Sequence, residues 1–105
     1  MVQVTHVNPA RLSQAVIVWS GWGRAPLPLR EESAIVEAFG EEMAPTLLEG
    51  VRELEDDFYS SDARLTVADL DSMGAVAAAE FRERHPEVSD DAVRALAWCY
   101  TFDYK

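Results

Sequence analysis

The stretch Val88-Ser-Asp-Asp-Ala-Val-Arg-Ala-Leu-Ala-Trp-Cys-Tyr-Thr-Phe-Asp-Tyr-Lys105 decides how this chain folds. It carries the clearest helix start in the sequence. Ser89 stands at the N-cap, where its hydroxyl can accept from a first-turn amide that has no carbonyl partner. Asp90 and Asp91 then place negative charge at the positive end of the helix dipole. Val88 and Val93 occupy the two positions of a hydrophobic staple. Beyond them Val93, Leu96, Ala97 and Tyr100 share one helical face, with Trp98, Cys99 and Phe102 beside it. A segment this aromatic needs other elements wrapped round it, so the spacing predicts a core helix. Trp98, Tyr100, Phe102 and Tyr104 also alternate at period two, as a strand would. Nothing between Asp90 and Tyr100 breaks a helix, and a helix through Phe102 is the expectation.

Working outward, residues 66–85 are predicted as the longest helix, with Thr66 and Asp69 resembling a capping box in which Asp replaces the usual Glu. Val67, Leu70, Gly74, Ala77 and Phe81 step three, four, three and four. Residues 74–79 are almost wholly small, which lets a neighbouring helix come close. His85-Pro86 ends the element. Before it, a helix begins between residues 41 and 46 with Pro45 in or near its first turn. Leu47, Val51, Leu54 and Phe58 form its amphipathic stripe, and Ser60-Ser61-Asp62 stops it. Residues 29–39 are predicted helical, with Gly40 just past the end. Two glycines and two prolines make residues 20–28 irregular. Asn8-Pro9 caps and starts the first helix, with Leu12, Ala15, Val16 and Trp19 on one face. The run Ala15-Val-Ile-Val-Trp19 is β-branched enough for a strand, but the cap favours a helix. Residues 1–7 are expected as a short extended arm. The expected fold is all-α: one domain, an irregular bundle of four to five helices.

At 105 residues the chain has room for one domain. Its single cysteine, Cys99, cannot form an internal disulfide and reads as a buried reduced thiol. The start of the chain lacks a positive n-region, and no run approaches the roughly 20 apolar residues of a membrane helix. The expectation is a cytoplasmic protein with no membrane partner. The net charge is −10, and residues 31–71 alone hold thirteen carboxylates against two basic residues, Arg52 and Arg64. Such a field repels nucleic acid and anionic lipid and steers a basic protein partner. It also simply keeps a surface solvated.

No cofactor or metal is expected. His6 and His85 lack ligand-like neighbours at helical spacing, and Gly21-Trp-Gly23 is too short for a phosphate loop. Two groups of residues are candidates for binding. Glu49, Glu53, Asp56 and Asp57 are stacked a turn apart, a spacing that suits Mg²⁺ facing a substrate phosphate. Glu53-Leu-Glu-Asp56 resembles half the metal motif of the all-α nucleotide pyrophosphohydrolases of the MazG type. That family pairs this E-x-x-D with an earlier E-E-x-x-E, whereas here Glu31-Glu32 is followed by Ile35 and Glu41-Glu42 by Pro45. The other candidates are Trp22 and Arg24, residue types enriched at binding hot spots. The flanking glycines either present the Trp22 ring or fold it back as a plug over the helix ends. The function expected from these features is non-enzymatic: a small acidic interaction module that binds or neutralises a basic partner, immunity- or antitoxin-like in size and charge only. The alternatives are the Mg²⁺-dependent phosphohydrolase and a homodimer joined through the small-residue face of residues 74–79.

Overall fold

The structure is a computed structural model and describes residues 8–105. The expected arm over residues 1–7, including His6, lies outside them. The described chain is all-α: α1 (Pro9–Ser20), α2 (Glu32–Phe39), α3 (Ala44–Phe58), the single turn α4 (Ala63–Thr66), α5 (Leu70–Arg84) and α6 (Asp90–Tyr104). No described helix is long and apolar enough to cross a membrane.

The helices begin where local chemistry starts them. Asn8 Oδ1 accepts from the amides of Ala10 and Arg11, with Pro9 as the first helical residue. Ser89 Oγ accepts from the Ala92 amide at 3.2 Å. The Ser89 amide in turn donates to Ser13 Oγ at 2.9 Å, so the start of α6 is tied to α1. The period-two reading of the last aromatics does not hold, because α6 continues to Tyr104.

Two helix starts differ from the sequence reading. Residues 66–85 are not one helix. Thr66 ends α4, Val67 is extended, and Asp69 is itself the N-cap of α5, its carboxylate accepting from the Ser72 amide at 2.9 Å. Thr66 turns its hydroxyl back to the Asp62 carbonyl instead of capping forward. The small turn α4 is held from outside: the Tyr100 hydroxyl accepts from the Arg64 amide and donates to the Ser61 carbonyl, both at 3.0 Å. α5 is therefore no longer than α3 or α6, at 15 residues each. Likewise α2 starts at Glu32 rather than residue 29. The amides of Leu29 and Glu31 are taken by the carbonyls of Ser20 and Trp19, and Arg30 lies at φ 55° between them.

The molecule is a slab of 42 × 34 × 18 Å, thin enough for two layers of helices. α6 lies between α1 and α5 and packs on both. Val93, Leu96, Cys99 and Tyr100 on it are fully buried. The expected stripe of α3 (Leu47, Val51, Leu54, Phe58) is buried to the last residue. Phe58 meets Phe81 of α5 at 5.2 Å and Tyr100 of α6 at 5.6 Å, ring centroid to centroid. The small face of α5 is spent inside the chain. Ala77 and Ala78 are buried, and a Cβ added at Gly74 would come within 2.9 Å of Thr101 Cγ2 on α6. A homodimer through this face needs Gly74, Ala77 and Ala78 exposed in the monomer, and all three are buried.

Candidate functional site

The acidic candidates divide. Glu49, Glu53 and Asp56 project from α3 away from its buried stripe and are exposed. None of the three makes an ion pair among the described residues. Asp57 faces the other way, toward the end of α5. Its Oδ2 accepts from Arg84 Nε at 2.8 Å and from His85 Nε2 at 2.7 Å, and its carbonyl accepts from Arg84 at 3.1 Å. The slight burial of Asp57 pushes its carboxyl up, but the hydrogen bonds from Arg84 and His85 more than reverse this and hold it below the ordinary carboxylate value. Asp57 is therefore a clamp between α3 and α5. Among the described residues no three His, Cys, Asp or Glu side chains form a group that could hold a metal ion. The half-motif of the pyrophosphohydrolases thus has neither its sequence partner nor a converging set of ligands.

Most of the acidic segment is not consumed by the fold. Glu31, Glu37, Glu41 and Glu42, on and around α2, are exposed along with the three on α3. Of the carboxylates in residues 31–71, the ion pairs among the described residues take only Glu32, which meets Arg52, and Asp57. The result is a surface of exposed, unpaired carboxylates on α2, α3 and the turn between them.

Trp22 and Arg24 lie in the loop from α1 to α2. Gly21 and Gly23 both adopt φ 84°, a left-handed conformation that a side chain would strain. At Gly21 an added Cβ would also crowd Leu29 and Ala25 at 3.1–3.2 Å. The loop amides close on themselves, with Arg24 and Ala25 both donating to the Gly21 carbonyl. This turn lays the Trp22 ring, half-buried, edge-on against Trp98 of α6, with centroids 5.5 Å apart. Trp22 therefore folds back onto the bundle while keeping part of its ring in solvent. Arg24 reaches back to the Val18 carbonyl at 3.3 Å, satisfying an unpaired group at the end of α1.

Sequence reasoning missed a polar latch at the other side of the same loop. Arg30 donates to Asp103 Oδ1 and Tyr59 to Asp103 Oδ2, each at 2.6 Å. The buried Cys99 thiol lies near this group, and its burial pushes it up to about 11, so it stays protonated. The partners stand far apart in the chain, and no local spacing signals them.

Partial burial raises the Asp103 carboxyl, but the hydrogen bonds from Arg30 and Tyr59 and the Arg30 charge outweigh it, so its folded value lies below the ordinary one. A carboxyl depressed in the folded state stabilises the fold above its unfolded pKa of about 3.9, and that contribution is lost as pH falls through the folded value. Nearby Glu55 shifts the opposite way, raised by burial against the pull of Arg30. Asp103→Asn should therefore be less stable than the parent at neutral pH, and the gap should close on acidification below about pH 4. Urea midpoints of both proteins across an acid series check this. A gap independent of pH would mean that the Asp103 charge does not stabilise the latch.

No family model, curated protein or solved structure matches this chain. Any function must come from the surfaces themselves.

Proposed function

We propose that this protein is a small interaction module that docks a basic protein partner on the carboxylate surface of α2 and α3. The observation that supports this is the unpaired state of that surface. Arg30 and Arg84 reach across to acids of other elements, Asp103 and Asp57. Glu37, Glu41, Glu42, Glu49, Glu53 and Asp56, by contrast, are exposed without an ion pair among the described residues. Clustered like charge costs self-repulsion in the free protein, and a basic partner relieves it. Such a surface acts mainly on encounter, by raising the association rate, and its effect is screened beyond about 8–10 Å at moderate salt.

The test is a triple reversal, Glu49→Lys with Glu53→Lys and Asp56→Lys. These side chains are exposed and off the buried stripe, so the fold should survive. Asp57 is left intact because it holds α3 to α5. The parent should retain a basic protein from native lysate at low salt and release it at high salt, and the reversed protein should not retain it. With that partner purified, surface plasmon resonance should show an association rate that falls steeply with salt. A partner that binds both proteins equally, or associates at a salt-independent rate, would sink the reading. So would an empty parent column at low salt.

A further inference from the structure

A groove of about 370 Å³ runs between α5 and α6, on a different part of the molecule from the carboxylates of α2 and α3. It is a shallow groove open to solvent along its length, and the accessible part of its lining is mainly apolar. Three parts make it up. The floor is small: Gly74, Ala75 and Ala78 from α5 and Ala97 from α6. One end is aromatic, where Trp22 and Trp98 meet edge to face. The other end is basic, where Arg82 of α5 and Arg94 of α6 both line the groove.

The order of these parts follows from the helix register. Gly74 faces Ala97 and Thr101, and Arg82 reaches Asp90 at 2.7 Å, so α5 and α6 run antiparallel. Gly74, Ala78 and Arg82 are spaced by four on α5, and Arg94 and Trp98 are spaced by four on α6. Each wall therefore passes from basic to small or aromatic along one stripe, with one helical turn of about 5.4 Å between Arg94 and Trp98.

The charge is equally directional. Asp90 pairs with both arginines, at 2.7 Å to Arg82 and 3.4 Å to Arg94. One carboxylate against two guanidiniums leaves several N–H donors unused, since each guanidinium carries five. In a chain of net charge −10 this is an unusual place. Asp71, the acid lining the groove, lies three turns from Arg82, about 16 Å along α5 and more than a Debye length away.

From this geometry we infer that the groove is a binding site for a small aryl-alkyl carboxylate. The ring lies on the small floor against Trp22 and Trp98, and the carboxylate takes the free donors of Arg94 and Arg82. One helical turn separates the two subsites, which fits a chain of two or three carbons between ring and carboxylate. Asp71 at the far end disfavours the reversed orientation. The site is independent of the docking surface on α2 and α3.

The probe is 3-phenylpropanoate, followed by nuclear magnetic resonance at the indole N–H groups. Trp19 is an internal control, being buried and absent from the groove lining. The Trp22 and Trp98 signals should shift saturably with a dissociation constant of about 1 mM or tighter, the scale for a ligand of so few atoms, while Trp19 stays still. The neutral 3-phenylpropanamide should bind at least about tenfold more weakly, because the charge-assisted hydrogen bonds are gone. Arg94→Gln should show the same loss. Ala75→Leu fills the groove from an exposed position and should abolish binding. No shift at roughly 10 mM, equal affinity for acid and amide, or binding that survives Ala75→Leu would each overturn the assignment. The acid–amide comparison uses the parent chain, so it stands even if a variant fails to fold.

Discussion

Phe58→Ala should cost about 3–5 kcal/mol, the range for emptying a buried aromatic site. The residue is fully buried at the last position of α3, where three helices meet. Its ring lies against Phe81 of α5 and Tyr100 of α6. Those two rings are fixed by their own helices and do not slide in to fill the space, which places the loss in the upper part of the range for single substitutions. Tyr100 also holds α4 through its hydroxyl, so a loosened ring weakens the Arg64 and Ser61 bonds as well. Small domains have only about 5–15 kcal/mol of total stability. The variant should therefore be marginal at room temperature, with a urea midpoint displaced far below the parent's. A loss under about 1 kcal/mol would mean that the three helices do not share this junction.

The second large effect is expected from Leu96→Ala, at about 2–5 kcal/mol. Leu96 is fully buried on α6, the helix flanked by α1 and α5. Closing a cavity there requires movement of helices on both sides, and both are restrained. α1 is tied by the Ser13–Ser89 hydrogen bond, and α5 comes close to α6 at Gly74, where an added Cβ would meet Thr101 Cγ2. Leu65→Ala is the matched control. Leu65 is 76% exposed on α4, and its loss should lie within about 0.5 kcal/mol of zero. Chemical denaturation of the pair separates burial from residue type. Equal midpoints for both variants would remove α6 from the centre of the fold.

What the sequence disclosed and what it concealed follow from the range of the interactions. Ser89, Asn8 and the stripe from Leu47 to Phe58 act within a few residues, so their spacing is their signal. The start of α5 shows where local reading stops. Thr66 and Asp69 are both fair caps, and the choice between them was made elsewhere, by Tyr100 holding α4 in place. The candidate site residues show the same limit. Glu53 and Asp57 are alike in sequence, yet Asp57 turns toward Arg84 and His85 while Glu53 stays in solvent. Trp22 was legible as a residue to watch. Its contact with Trp98, and the groove that the pair closes at one end, depend on how α1 lies against α6.

Arg30 has a consequence of its own. A left-handed backbone at a residue other than glycine costs about 1–2 kcal/mol. Arg30 holds that conformation at φ 55° while its side chain grips Asp103 near the end of α6. The two residues are 73 positions apart in a chain of 105, so closing the latch closes more than half the chain into one loop. The α1–α6 packing, tied at Ser13 and Ser89 across 76 positions, brings the ends of the latch together. If the latch closes only once that packing exists, it is absent from the folding transition state and present in the native state. Interactions of that kind leave the folding rate alone and slow escape from the native state. Such a latch would act on how long the molecule stays folded once it has arrived, a kinetic property separate from the depth of the core.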